Sequence, residues 1–225
     1  MRSWTDGSTN IGYDNVFAPL MRCPLCQKSF WKSDARELGD LPLQPRPMGR
    51  LEVWYAKLSG DKERKLAARE AWNNFPNALR DAPHTDIPDF SDWLEILQDS
   101  AKLRPEREVI ARRKVWRTSS DHVRLRSDGI PCSPMPVLTE NEATENRLAL
   151  LTLHENGNTT NPTERAELLR QLGMFDEAIQ VLESAGDDER KTPLATKIMT
   201  LAKTCDVVVR EVRNFKLAGK ARLSK

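Results

Sequence analysis

Residues 161–186, NPTERAELLRQLGMFDEAIQVLESAG, read as two short helices on a tight glycine turn. Asn161 is an N-cap residue. Pro162 takes the first helical position, where its missing N–H costs nothing, and Glu164 stands where it would complete a capping box. Gly173 breaks the run, because glycine reaches the left-handed conformation that ends a helix without a Cβ penalty. A second helix is expected from about Asp176 to Ala185, which makes the stretch a helical hairpin.

That hairpin resembles a tetratricopeptide unit. Ala166, Gly173, Phe175, Ala178 and Ala185 stand where the repeat has its small residues, its turn glycine and its packing aromatic. Alanines let two backbones approach, and Phe175 fills the gap between the helices. Pro162 occupies the place of the first-helix aromatic, and no second copy follows at the repeat's period. A lone unit cannot bury both of its faces, so neighbouring helices must cover it. Two readings stay open. One is a peptide-binding groove using Leu169, Phe175 and Leu182; the other is an ordinary hairpin within a bundle.

Further along, Thr192 and Pro193 open another helix, with Leu194, Ile198, Leu201, Ala202 and Cys205 on a single face. Cys205 reads as a small core residue. Val208, Val212 and Phe215 suggest a further short helix, and the basic tail covers 216–225. Upstream, Thr139 and Glu142 form a capping box for a helix that Gly157 closes, with His154 at its end in a capping or dipole role. The proline-rich 127–137 is the expected boundary between two halves. The sequence thus divides into a module over 1–40, a helical segment over 50–126, a tetratricopeptide-like segment over 138–215 and the tail. The proline-rich linker 40–49 joins the first two. In the middle segment, helices are expected around Trp72, around Trp93 behind a cap at Asp89 or Ser91, and after Pro105.

The first module carries MRCPLCQKSFW, residues 21–31. Cys23 and Cys26 have the spacing of a zinc knuckle, and Pro24 stiffens the loop so that backbone N–H groups turn toward the thiolates. Gln27 stands where such knuckles usually carry glycine. A closed structural zinc site needs four ligands. Cys132, His84 and His122 are available further along the chain, or two chains could each donate one pair across a homodimer. Two buried thiols without metal are the alternative. A redox pair would need a strand–helix setting that this turn-rich stretch lacks.

Between Lys102 and Arg126, nine basic residues face three acidic ones. Arg112, Arg113, Lys114, Trp116 and Arg117 are the residues that could contact nucleic acid, the arginines and lysine at phosphates and the tryptophan stacked on a base. The competing reading is a solvated helix face paired with acidic neighbours such as those in 86–99. Net charge is +2, so no global field draws the chain to nucleic acid. All six tryptophans lie in the first half, where core burial is their expected role.

Hydrophobic content of 39% and charged content of 30% suit a helix-rich globular chain. No apolar run reaches the length of a membrane span, and the start lacks a secretory apolar region, so a cytoplasmic protein is expected. The sequence holds no HExxH, GxSxG, P-loop or dinucleotide fingerprint. A non-catalytic role follows as the expectation. A small metal enzyme would need an open, water-bearing site at Cys23 and Cys26.

WTDG, CPLCQKSFW, a helix bearing arginine and tryptophan, and AELLRQLGMFDEAIQVLE together resemble a group of uncharacterised bacterial proteins. Those look like a short CPxC module with an FW pair, joined to a tetratricopeptide-like helical half. The resemblance is specific at residues 4–31 and 164–183, and it implies architecture only. The expected fold is mainly α: a small β/turn, zinc-ribbon-like N-terminal module, then helical hairpins. The expected function is protein–protein interaction as an adaptor, with nucleic-acid association through 102–126 as the alternative.

Overall fold

The computed structural model describes residues 3–8, 19–36, 62–74, 76, 85–121 and 138–212. The fold is mainly helical. The chain forms two compact units, one from 1–18 with 88–225, the other from 19–87. This differs from the expected division. The segment carrying WTDG belongs with the helices, and the cysteine hairpin lies in a unit inserted after it.

In the larger unit, α2 (Phe90–Gln98) begins at Asp89, which accepts from the Asp92 N–H while Asp92 bonds back, a complete capping box. Helix α3 (Pro105–Ser119) carries proline in its first turn. Helix α4 (Glu140–Glu155) opens on the Thr139–Glu142 box. Helices α5 (Pro162–Gln171) and α6 (Phe175–Ser184) form the hairpin, followed by the single turn α7 (Asp187–Arg190) and α8 (Pro193–Lys203) behind the Thr192 cap. Two apolar clusters hold these helices, and α5 contributes to both. Ala166 and Leu169 pack with Leu151, Ala178, Leu182, Ala195, Ile198 and Ala202. Leu168 packs with Val109, Trp116, Leu150 and Leu153. Helix α5 is therefore shared between a cluster with α3 and α4 and one with α4, α6 and α8.

Three helices end the same way. After α4, Gly157 donates to the His154 carbonyl and Asn158 to Leu153; after α5, Gly173 donates to Arg170 and Met174 to Leu169. After α8, Cys205 donates to Ala202 and Asp206 to Leu201. Each is the paired bond of a Schellman ending, and the residue at its corner has positive φ: 75° at Gly157, 80° at Gly173 and 53° at Cys205. The expectation that Cys205 lies in the core is thus corrected. The helix stops at Lys203, and Cys205 turns outward, exposed. The expected short helix around Val208 and Val212 is also absent. Residues Glu211–Val212 are strand β4, antiparallel to β1 (Ser3–Trp4). The remainder of that expectation, Phe215, and the tail 216–225 lie outside the described residues, as do the proline-rich stretches 40–49 and 127–137.

In the smaller unit, β2 (Leu20–Arg22) and β3 (Ser29–Trp31) form a hairpin with Leu20 opposite Trp31 and Arg22 opposite Ser29. Leu20 and Trp31 are buried. Arg22 and Asp86 exchange backbone hydrogen bonds on the outer side of β2. Helix α1 (Lys62–Asn74) completes the described part, with Leu66 exposed.

Candidate functional site

The cysteine turn is built by its backbone. Cys23 donates to the Lys28 carbonyl at 2.9 Å, and Gln27 donates to the Cys23 carbonyl at 2.8 Å. Gln27 has φ of 59°, so it adopts the conformation usually left to glycine, and its side-chain amide donates back to the Pro24 carbonyl. The departure in residue type leaves the turn geometry intact. The N–H groups of Cys26 and then Leu25, together with the Cys26 thiol, hold the Cys23 thiol below its ordinary pKa. Donors aimed at sulfur favour thiolate, the form that ligates a soft metal or attacks an electrophile. Cys26 is exposed, and Leu25 at the tip is 82% exposed. Cys132, His84 and His122 lie outside the described residues. Among the described residues no three of His, Cys, Asp and Glu gather into a metal-holding group.

Arg112, Arg113 and Arg117 of the basic stretch are paired with carboxylates, while Lys102 and Arg104 are exposed. Arg113 grips Glu164 with two bonds, Nε to Oε2 at 2.6 Å and Nη2 to Oε1 at 2.8 Å, and Arg117 stands 3.7 Å from the same carboxylate. Arg112 pairs with Glu108 at 2.7 Å. Trp116 is 1% exposed and donates its ring N–H to Gln171, so it presents no face to a base. Lys114 is half-buried. The acidic partners are Glu108 and Glu164 and, from the 86–99 segment that the sequence suggested, Asp99, which pairs with Lys102 at 2.6 Å.

Glu164 departs from its expected part. Its N–H does bond the Asn161 cap, but its side chain turns away to His154, Arg113 and Arg117. His154 Nε2 lies 3.0 Å from Oε1, and an ionised carboxylate can only accept, so this nitrogen carries the hydrogen. Burial alone would raise the carboxyl pKa. The bonds from His154 and Arg113, with the charges of Arg113 and Arg117, outweigh it and hold the group at about 2. The folded value lies below the ordinary 4.5, so Glu164 stabilises the protein fully above that value and loses its contribution as pH falls from there toward 2. Such a shift is worth about 3 kcal/mol. Urea unfolding at stepped pH should show this loss in wild type, and Glu164→Gln should flatten the acid limb. An equally steep limb in the variant would mean that other carboxyls cause it.

The residues expected to line a groove are mostly internal. Leu169 and Leu182 belong to the core cluster, at 3% and 1% exposure, and Phe175 packs half-buried against it. The alanines at 166 and 178 are fully buried where α5 meets α6, as helix contact requires. A different apolar set is exposed: Met174 at the hairpin turn, and Val207 and Val208 after α8.

This is a mainly helical protein with a two-cysteine hairpin and a helical unit whose buried carboxylates Glu164 and Glu167 are paired with arginines. No helix among the described residues is long and apolar enough to cross a membrane. No known protein family matches the chain, and neither a curated protein nor a solved structure does.

Proposed function

We propose that this chain is a non-catalytic interaction protein that binds a protein partner through the apolar end of its helical hairpin. The supporting observation is the way that end is anchored. Arg170, in the last turn of α5, donates to the carbonyls of Asp206 and Val208, and Met174 follows the same turn. The 206–208 backbone is thus tied to the last turn of α5, leaving Val207 and Val208 exposed, and Met174 is exposed at the turn that follows. Apolar groups on fixed backbone lose little entropy on binding. Arg113 and Arg117 of α3 pair with Glu164 of α5, and Glu167 of α5 pairs with Arg170, so these charges are engaged within the protein. For the same reason the nucleic-acid reading of 102–126 has less support: Trp116 is buried, and Arg112, Arg113 and Arg117 are occupied.

Paired pull-downs test the reading. Wild type should retain a partner at high salt, and Met174→Glu with Val208→Glu should lose it at an unchanged thermal midpoint. A partner kept equally by both forms overturns the proposal, as does one that salt removes.

A further inference from the structure

We propose that the Cys23–Cys26 turn is one half of a zinc site that a second copy of this chain completes, so that the metal joins two chains through four thiolates. The turn is closed by its own backbone hydrogen bonds. Cys23 donates to the Lys28 carbonyl and Gln27 to the Cys23 carbonyl, and the left-handed Gln27 closes the loop. These features cost conformational freedom and position two sulfurs from one short turn. Zinc in a closed structural site takes four such ligands in a tetrahedron, and one turn supplies two of them.

The position of the turn indicates where the other two come from. Pro24 to Lys28 form the tip of a hairpin whose strands are three residues each, and Leu25, Cys26, Gln27 and Lys28 are all exposed. Asp86 is bonded beside Arg22, yet it does not join the cysteines in a three-ligand group. The outward tip can meet an identical tip across a two-fold axis, the commonest symmetry of homo-oligomers. Leu25, exposed in the single chain, is then an apolar contact that limits water access to the metal.

Charge supports the same occupant. Four thiolates around one zinc leave two negative charges in excess. Each chain brings Lys28, the second residue after Cys26, so two copies bring two positive charges to the site.

The experiment uses untagged full-length chain. Elemental analysis gives the zinc-to-chain ratio, and light scattering gives the mass before and after a strong chelator. The expected result is one zinc per two chains, in a dimer that the chelator converts to monomer. Cys23→Ser and Cys26→Ser should each give metal-free monomer with the wild-type helical circular dichroism, because the cysteines lie outside the helical unit. Leu25→Glu should weaken the dimer while leaving both thiols in place. One zinc per chain in a monomer overturns the proposal, since the site would then be completed within one chain. Protein without zinc that also fails to take up added zinc or cobalt overturns it as well. Failure here leaves the apolar-end reading untouched, because Met174 and Val208 belong to the other unit.

Discussion

Arg170→Met should lower stability by about 3–5 kcal/mol, measured as a fall in the urea midpoint of helical circular dichroism. Arg170 and Glu167 are both 0% exposed and joined by two bonds, at 2.8 and 2.7 Å. The guanidinium also holds the carbonyls of Asp206 and Val208. Methionine would fill much of the volume but leave a carboxylate without its counter-charge and two carbonyls without donors. Gln171 would still donate to Glu167 at 2.8 Å, which an amide does at a fraction of the strength of a charged fork. The cause can be isolated by removing both charges. Glu167→Met with Arg170→Met should be more stable than Arg170→Met alone, because no buried charge is then left unpaired. A double variant at least as unstable as the single one would place the cost in the 206–208 carbonyls and not in the orphaned carboxylate.

This pair also explains what could be read in the chain. Caps and turns were legible because their chemistry is local: Asn161, Thr139, Thr192, Gly157 and Gly173 act on backbone groups within a few residues. Cys205 was not, since its type gives no sign that it would take the glycine role after α8. The harder loss was α5. Its sequence, PTERAELLRQ, reads as an amphipathic helix with Glu and Arg toward water. The helix is in fact buried on nearly all sides, and its charges are met by Arg113, Arg117, His154 and the 206–208 carbonyls from elsewhere in the chain. Periodicity assigns a polar residue to solvent unless its partner is visible, and these partners are distant in sequence. The partners of the arginines in 102–126 were hidden for the same reason. A run of arginines beside a tryptophan looks the same whether it faces phosphate or a buried carboxylate, and Glu164 appeared to be occupied as a capping residue. The cysteine hairpin shows the opposite case. The turn at CPLC was legible, and Gln27 takes the left-handed conformation usually left to glycine.

Trp4→Ala should destabilise the protein by about 3–5 kcal/mol, comparable to the loss of a core aromatic. Residues 3–8 form a compact clasp. Trp4 donates to the Ser8 carbonyl, Gly7 donates to Trp4, and Ser8 bonds the Asp6 carboxylate through both its N–H and its hydroxyl. Thr5 exchanges bonds with Arg210 through its N–H and its hydroxyl oxygen, beside the β1–β4 pairing of Trp4 with Glu211. Arg117 donates to the Asp6 carbonyl, so α3 is tied to the clasp by the side chain that also approaches Glu164. Gly7→Ala should have a smaller effect in the same direction, about 1–2 kcal/mol, because φ there is 78°. The clasp joins opposite ends of the chain, and closing so long a loop is entropically costly before the helices have packed. It should therefore form after the folding transition state. Trp4→Ala should accelerate unfolding in stopped-flow measurements and leave refolding nearly unchanged. A refolding rate that fell in proportion to the lost stability would instead place the clasp in the nucleus, with the helices assembling on the joined ends.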